Sequence, residues 1–201
     1  MSDIKYVYFI LGGPGAGKGT QCDKLVEKFP ITHLSAGELL RAEMARPESQ
    51  DGQLISSLIK EGKIVPSHIT VKLLLKAIQE HPHKVFLIDG FPRNEENKNV
   101  WEEMADSKVF EVVKCITIDV QRETMKKRIM KRSVDSGRSD DNEVTVLKRF
   151  DTFEKETCPI IEYFGKINKL LRVSGEGSVE EVFKPINEEM TKFYTEKKIP
   201  F

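Results

Sequence analysis

Short apolar runs along the chain alternate with longer stretches in which apolar residues recur at helical spacing. Five runs predict β-strands, because they are short and rich in β-branched or aromatic residues: Lys5–Leu11, Thr32–Ser35, Val85–Ile88, Val112–Ile118 and Leu170–Val173. Helices are predicted between them, including Lys18–Phe29 and two last helices over residues 143–168 and 178–195. Strands that are apolar throughout and alternate with helices predict an α/β fold, with a parallel five-stranded sheet covered by helices on both faces.

Two polar stretches interrupt this pattern. Residues 35–65 have helical character, and residues 132–142 form a short loop punctuated by Gly and Asp. Ser35 and Glu38 match a capping box, which predicts that a helix begins at the first stretch. No repeat or composition break divides the chain, so residues 1–201 are predicted to form one domain.

The composition excludes several classes of partner. The 201 residues include 32 Lys+Arg and 32 Asp+Glu, so no global basic field exists to hold a nucleic acid polymer or an anionic membrane. No apolar run approaches the ~20 residues of a membrane span, and the N-terminus lacks a secretory signal pattern. The sequence has no obvious apolar stripe that could form a subunit interface, so we expect a monomer.

The three cysteines favour a structural interpretation. Cys22, Cys115 and Cys158 lie far apart, with no CxxC pair and no Cys/His cluster at zinc spacing. We expect small buried hydrophobic side chains in a reducing compartment. This predicts a cytoplasmic location, with the nucleus as an alternative.

A glycine-rich loop follows the first strand. Its sequence, GGPGAGKGT over residues 12–20, matches GxxxxGK, although Gly19 occupies the usual Ser/Thr position. Such a loop curls backbone N–H groups around phosphate oxygens at a helix N-terminus, and its lysine adds a mobile charge. The residues predicted to hold a nucleoside triphosphate are Gly13, Pro14, Gly15, Ala16, Gly17, Lys18, Gly19 and Thr20.

The end of the third predicted strand carries a second candidate motif, DGFPRN over residues 89–94. Asp89 suits a Mg²⁺ ion, directly or through its waters, and capping of the next turn is the alternative. Further arginines, placed around the polar stretches, could bind phosphate through paired hydrogen bonds: Arg41, Arg93, Arg132, Arg138 and Arg149. Each of them alone is more typical of a solvated surface residue, and only their placement around one loop favours a phosphate site.

No general base accompanies these arginines. None of the four histidines, at positions 33, 68, 81 and 83, falls in a nucleophile–base arrangement. A kinase acting on an alcohol usually positions a base, whereas a phosphate acceptor is already mostly dianionic at pH 7. The sequence therefore indicates that the acceptor is itself a phosphate.

Five ordered motifs carry a family resemblance: GGPGAGKGT, LSAGELLR at 34–41, GKIVP at 62–66, DGFPRN and SGRSDD at 136–141. Together they resemble the nucleoside monophosphate kinases, the short-lid type of the adenylate kinase family, and within them the branch that acts on UMP and CMP. The resemblance implies a three-layer P-loop NTPase fold with a core of residues 1–34, 66–131 and 143–201, a helical monophosphate-binding segment at 35–65 and a lid at 132–142. The cysteine-free lid excludes the zinc-bearing long-lid version.

The resemblance also implies residue roles. Lys18 would contact the moving phosphoryl group of ATP, Arg132 would contact ATP, and the backbone at Gly177 would meet the adenine, with Mg²⁺ as cofactor. Arg41 and Arg93 would bind the acceptor phosphate, while Arg138 and Arg149 would bridge both phosphate chains. The catalytic set would be Lys18, Arg93, Arg132, Arg138 and Arg149. Other residues expected at the monophosphate are Ser35, Gly37, Lys63, Ile64, Val65, Gly90, Phe91, Asn94 and Asn97.

The implied reaction is direct phosphoryl transfer from ATP to UMP and CMP, with dCMP as a further candidate. Asn94 and Asn97 stand where adenylate kinases have Thr and Gln, which favours a pyrimidine acceptor. Three alternatives stay open: an adenylate kinase, a GTP-hydrolysing switch, which would need an NKxD element that is absent, and a catalytically silent interaction module. Ser133 departs from the glycine that commonly follows the lid arginine.

Overall fold

The computed structural model describes residues 4–134 and 140–201 and has a five-stranded parallel sheet at its centre. The strands are β1 (Lys5–Leu11), β2 (Ile31–Ser35), β3 (Val85–Asp89), β4 (Phe110–Asp119) and β5 (Leu170–Ser174), in the order β2-β3-β1-β4-β5. Every neighbouring pair is parallel. All five predicted strands are confirmed, with ends that differ by two residues at most.

Helices surround the sheet and form the segment between β2 and β3. They are α1 (Lys18–Lys28), α2 (Ala36–Ala45), α3 (Gly52–Lys60), α4 (Ser67–Gln79), α5 (Glu95–Met104), α6 (Arg122–Ser133), α7 (Glu143–Thr152), α8 (Cys158–Lys166) and α9 (Val179–Lys197). Within residues 4–134 and 140–201, no helix has both the length and the apolar character that a membrane crossing requires.

Alternate residues of the central strand β1 enter two separate cores. Tyr8 and Ile10 belong to a core that includes side chains of α1 and α9, whereas Phe9 belongs to one that includes side chains of α4, α5 and α8. Successive side chains of a strand point to opposite faces, so a strand that is apolar throughout needs helices on both. The predicted three-layer α/β fold is confirmed.

The segment between β2 and β3 has a small hydrophobic core of its own. Leu40 of α2 and Ile55 of α3 are buried together with Val65 and Ile69 near the start of α4. A helix pair that buries its apolar faces locally can pack as a unit beside the sheet.

One predicted helix is divided. The sequence predicts helix over residues 143–168, but a π-helical turn at Phe153–Thr157 separates α7 from α8. Pro159, near the start of α8, has no backbone N–H to donate to the preceding turn, so the regular α-helical ladder is interrupted there.

Two helix starts show how capping works in this chain. Ser35 Oγ accepts a hydrogen bond of 3.3 Å from the Glu38 N–H, as the capping motif predicts, while the Glu38 carboxylate pairs with Arg41. The complete, reciprocal capping box is at Ser178 and Glu181, where α9 begins.

Candidate active site

A cavity of about 540 Å³ opens at the carboxyl ends of β1 and β3. These two strands are neighbours, so the loops that follow them lie side by side, as is typical of ligand sites in open α/β sheets. Most of the predicted site residues line it: Pro14, Gly15, Gly17, Lys18, Gly19, Thr20, Ser35, Gly37, Arg41, Lys63, Ile64, Val65, Asp89, Gly90, Phe91, Arg93, Asn97, Arg132 and Arg149.

Four of the predicted site residues are not found at the cavity wall. Gly13, Ala16, Asn94 and Gly177 are not among the residues that line this cavity. Gly177 lies in the loop between β5 and α9, next to the Glu181 side chain. Arg138 falls outside the described residues.

The glycine-rich loop packs too closely for larger side chains. Gly15 has a φ of +81°, and a Cβ atom there would lie 2.7 Å from the Met125 carbonyl oxygen. Helix α1 begins at Lys18 with Gly17 as its N-cap, and no side-chain cap is recorded among the described residues. Such a helix start offers its backbone N–H groups and positive dipole end to an anion.

Lys18 is held against the loop that precedes it. Its Nζ donates to the carbonyl oxygens of Gly12 at 2.9 Å and Gly13 at 3.3 Å. Burial lowers the pKa of Lys18, and the nearby Asp89 carboxylate offsets part of that effect. The ammonium group is therefore poorly hydrated and close to the anion-binding loop, where added negative charge stabilises its protonated form.

Asp89 ends β3 beside this lysine. Its Oδ1 is buried and has no hydrogen-bond partner in the described part of the chain, while Oδ2 lies 3.7 Å from His33 Nε2. Burial, the largest single influence, raises the pKa of Asp89, but His33, Lys18 and Arg93 together outweigh it and leave that pKa below its ordinary value. An ionised carboxylate with an unpartnered oxygen, beside a phosphate-binding loop, fits Mg²⁺ or its waters. The unpartnered Oδ1 does not support the capping alternative.

The backbone and side chain of Arg93 are both held by hydrogen bonds. Nε donates to the Gly90 carbonyl at 2.7 Å, the Arg93 N–H donates to Asn97 Oδ1 at 3.0 Å, and the Arg93 carbonyl accepts from Thr157 Oγ1 at 2.7 Å. Arg93 is exposed on the open side of the crevice, although protein atoms crowd its guanidinium on the other sides. Burial, followed by the neighbouring Arg149, lowers its pKa, although an arginine stays charged at any working pH.

Carboxylates pair with the other arginines of the crevice. Arg41 Nη2 donates to Glu38 Oε1 at 2.6 Å. Arg132 donates two hydrogen bonds to Asp141, at 2.8 and 2.7 Å, and Arg149 Nη1 donates to Asp141 Oδ1 at 3.0 Å. The guanidiniums thus converge on the crevice with carboxylate oxygens in positions that phosphate oxygens can take.

The two asparagines of the DGFPRN region have distinct contacts. Asn94 is the N-cap of α5, and its side chain accepts from the Asn97 N–H at 2.8 Å. Asn97 lines the cavity, and its Nδ2 donates to Ser67 Oγ at 2.8 Å. Of the two, Asn97 is the residue that can face a bound base.

Helix α7 links the segment between β2 and β3 to the rest of the site. Thr145 Oγ1 donates to the Lys60 carbonyl at 3.2 Å. The Thr152 hydroxyl lies 3.2 Å from the Gly62 carbonyl and 2.9 Å from the Lys148 carbonyl of its own helix, so its one proton is shared between two acceptors. These contacts place the GKIVP motif at the mouth of the cavity.

Sequence reasoning missed several residues that build the site. Asp140 and Asp141 stood in the quoted SGRSDD motif, so the motif itself was a usable signal for them. Arg128 lines the cavity and donates to the Gly175 carbonyl at 2.9 Å. Ser67 and Thr157 carry no local signal, because their partners lie 30 and 64 residues away.

The chain is similar to a family of known proteins over most of its length. The family model described as adenylate kinase matches residues 10–169. A "Probable UMP-CMP kinase 1" from Arabidopsis thaliana is 50% identical over 180 residues, which cover 90% of this chain and 85% of the relative. A "UMP-CMP kinase" from Danio rerio is 47% identical, covering 92% of this chain and 97% of the relative. A "Uridylate kinase" from Saccharomyces cerevisiae (strain ATCC 204508 / S288c) is 47% identical, covering 90% and 89%.

The fold, the phosphate-binding loop, the converging arginines and these similarities agree with one another. The predictions of family and of reaction class are both confirmed: the chain belongs to the adenylate kinase family and is a nucleoside monophosphate kinase.

Proposed function

We propose that this enzyme transfers the γ-phosphoryl group of ATP directly to UMP and CMP, with dCMP as a further acceptor. The observation that carries the proposal is the single cavity in which Lys18, Arg41, Arg93, Arg132 and Arg149 converge. A cavity of about 540 Å³ with cations along its walls suits two nucleotides whose phosphate chains meet. The pyrimidine acceptors rest on the relatives named for UMP and CMP and on Asn97 at the cavity wall.

On the donor side, the loop of residues 12–20 would hold the ATP phosphates through its backbone N–H groups. Lys18 would leave the carbonyl oxygens of its own loop and follow the moving phosphoryl group. Arg132 would contact ATP, and the backbone at Gly177 is proposed for the adenine. A partly dehydrated lysine interacts strongly with the charge that spreads over the transferring group.

On the acceptor side, Arg41 and Arg93 would bind the monophosphate, with Arg149 reaching both phosphate chains. The sugar and base would lie under the segment of residues 35–65, against Lys63, Ile64 and Val65. We also propose that this segment and the lid at 132–142 close over the nucleotides and exclude water, which would otherwise accept the phosphoryl group.

Mg²⁺ is the cofactor that we propose for this reaction, and Asp89 would hold it, with its waters, beside the ATP phosphates. The ion would supply charge neutralisation at the phosphate oxygens. No residue needs to remove a proton from the acceptor, because a monophosphate is already largely dianionic. The protein's own contribution is positioning of the two phosphates in line and stabilisation of charge by the arginines.

We extend the proposal to a monomer in cytoplasmic pyrimidine nucleotide synthesis, with the nucleus as an alternative location. The three cysteines are all free thiols, which supports a reducing compartment.

A substrate panel tests the function. Purified enzyme with ATP and Mg²⁺ is offered CMP, UMP, dCMP and AMP separately, and diphosphate formation is measured. We expect CMP and UMP to react with kcat/KM values at least about tenfold above that of AMP, since a pocket built to hydrogen-bond one base rejects a different one by at least this factor. A preference for AMP would refute the proposal and identify an adenylate kinase.

An inactive variant controls for activity from contaminating kinases. Lys18→Met removes the loop charge and retains a flexible side chain of similar length, so it should abolish turnover of every monophosphate. Omission of Mg²⁺, or its chelation, should have the same effect. Turnover that survives in the variant would be assigned to another protein in the preparation.

A further inference from the structure

We propose that Cys22, His33 and Asp89 form a binding site for a Zn²⁺-like, thiol-seeking divalent cation, and that its occupation inhibits the enzyme. Each residue offers one ligand atom, and these atoms lie within 4.8 Å of one another. His33 Nε2 and Asp89 Oδ2 are 3.7 Å apart. No other group of three such side chains comes as close within residues 4–134 and 140–201.

The fold brings together residues that are distant in sequence. Strands β2 and β3 pair in parallel with His33 opposite Leu87, so His33 and Asp89 lie on the same face of the sheet in diagonal positions. Cys22 lies one turn after Lys18 on α1, which packs on that face, and the Cys22 side chain is fully buried.

Two buried polar atoms at this place make no hydrogen bond. Neither His33 Nε2 nor Asp89 Oδ1 has a hydrogen-bond partner within the described part of the chain, and the ion-pair contact of His33 Nε2 with Asp89 Oδ2, at 3.7 Å, is too long for one. Buried polar groups are nearly always hydrogen-bonded, and one explanation for such an exception is a bound ion. The unsatisfied Asp89 oxygen fits Mg²⁺ as well as a thiol-seeking metal, whereas the unsatisfied imidazole nitrogen near a thiol favours the thiol-seeking metal.

The donor set selects the class of metal. A thiolate, an imidazole nitrogen and a carboxylate oxygen suit Zn²⁺, whereas Mg²⁺ prefers oxygen donors alone. Ligand atoms around tetrahedral Zn²⁺ lie roughly 3.3–3.7 Å apart, so the His33–Asp89 pair already fits. All three ligand atoms already lie within 4.8 Å of one another, so closing around the ion requires a shift of about 1 Å at most, and the fourth position is left for water.

The charges balance at this site. Coordination releases the thiol proton to solvent, so a dication, a thiolate and a carboxylate sum to zero beside the Lys18 ammonium. The inhibitory part of the proposal rests on the proposed role of Asp89: an occupied site removes that carboxylate from Mg²⁺ and its waters. It also holds α1 at Cys22, one turn from Lys18, which restrains the lysine's movement toward the phosphates.

Direct binding is measured first, on metal-free full-length protein without nucleotide. Zn²⁺ is titrated by calorimetry, and Cd²⁺ is titrated by the ultraviolet absorbance of its thiolate charge-transfer band. We expect one equivalent of each metal to bind the wild type. Cys22→Ala should abolish the Cd²⁺ band, and Cys22→Ala and His33→Gln should each weaken Zn²⁺ binding by at least about tenfold.

Two control variants separate this site from other donors. Cys158→Ala removes a partly exposed thiol, and His81→Gln removes an exposed imidazole that lies near His83. Both should bind the metals as the wild type does. Thermal unfolding of all variants without metal shows whether a loss of binding follows from a loss of folding. Equal metal binding by Cys22→Ala and wild type would overturn the proposal.

Inhibition is measured separately, at saturating Mg²⁺–ATP with free Zn²⁺ set by a chelator buffer. Cys22→Ala should keep its basal activity and require at least about tenfold more free Zn²⁺ for half-inhibition. Inhibition of both proteins at the same free Zn²⁺ concentration would overturn the inhibitory role. The binding titrations contain no nucleotide. They therefore test whether the metal site exists even if the proposed monophosphate specificity proves wrong.

Discussion

Asn97 and Ser67 are joined by a buried hydrogen bond, in which the Asn97 Nδ2 donates to Ser67 Oγ at 2.8 Å. On its other side, Asn97 Oδ1 accepts the Arg93 N–H. Because a backbone N–H can only donate, the atom that faces it must be the oxygen, and the amide has one orientation. One N–H and one lone pair of the amide remain beyond these two bonds, and we propose that they face the base.

We therefore expect Ser67→Ala to weaken binding of the monophosphate. The loss of one hydrogen bond costs about 1 kcal/mol, so the KM for CMP or UMP should rise roughly fivefold. The KM for ATP should stay the same, because Ser67 does not line the cavity and its side chain bonds to Asn97. Steady-state kinetics with each substrate varied in turn measures both values.

The exposed Ser57 on α3 supplies the matched control, as its hydroxyl donates to the Leu54 carbonyl. Ser57→Ala should leave both KM values unchanged. If Ser67→Ala altered the KM for ATP as much as that for the monophosphate, Ser67 would be supporting the fold in general and not the Asn97 amide.

Arg93→Ala should remove transition-state stabilisation. The guanidinium lines the crevice, and its charge is proposed to neutralise the acceptor phosphate, so we expect a loss of about 3–4 kcal/mol. That loss lowers kcat/KM by more than a hundredfold. Arg46→Ala, which removes an arginine paired with Glu43 at the end of α2, should change kcat/KM by less than about threefold. Near-normal turnover by Arg93→Ala would exclude the proposed role.

Asp141→Asn should destabilise the fold near the crevice. The Asp141 side chain is fully buried and accepts hydrogen bonds from both Arg132 and Arg149. The neutral amide cannot accept the same charge-assisted set, so the free energy of unfolding should fall by about 1–3 kcal/mol. Urea titration measures this change. Asp151→Asn, at an exposed pair with Arg122, should change it by less than about 0.5 kcal/mol. Equal stability of the two variants would contradict the structural role of Asp141.

The capping box of α9 makes a contribution to stability that depends on pH. The Ser178 N–H, followed by its hydroxyl, holds the pKa of Glu181 below its ordinary 4.5. A carboxyl whose pKa is lowered by folding stabilises the folded state above the unfolded pKa and loses this effect as pH falls through the folded pKa. Glu181→Gln should therefore be less stable than wild type at pH 7, with a difference that shrinks below pH 4.5.

Urea unfolding at pH 7, 5.5 and 4 measures this dependence. Glu188→Gln changes an exposed glutamate in the middle of the same helix, and its effect should not follow the same pH profile. A constant stability difference for Glu181→Gln at all three values would show that the carboxylate charge has no part in the cap.

The strands and the main loop of the site could be predicted from sequence because their signals are local. The run Lys5–Leu11 is apolar on both faces, and the glycine-rich GxxxxGK pattern that follows it favours an anion-binding turn over a flexible one. The division of the helix at Phe153–Thr157 was missed, since the helical periodicity continues through it.

Long-range pairing was not predictable. The spacing of Cys22 and His33 does not match a zinc motif, yet the register of β2 on β3 places them beside Asp89. The arginines were identified by residue type, but the pairing of Arg132 with Asp141 depends on how helices α6 and α7 pack against each other. Such contacts arise from packing of the whole domain, which no local pattern encodes.

The crevice cations have internal acceptors, and under the proposed function substrate binding would exchange these acceptors for phosphate oxygens. Arg41 is satisfied by Glu38, Arg132 by Asp141, and Lys18 by two carbonyl oxygens of its own loop. On the proposed roles, an incoming phosphate would replace these acceptors. A lone orthophosphate or chloride ion would replace them at one point only, whereas paired nucleotides would replace them at several points together. We therefore expect the empty crevice to bind small anions weakly.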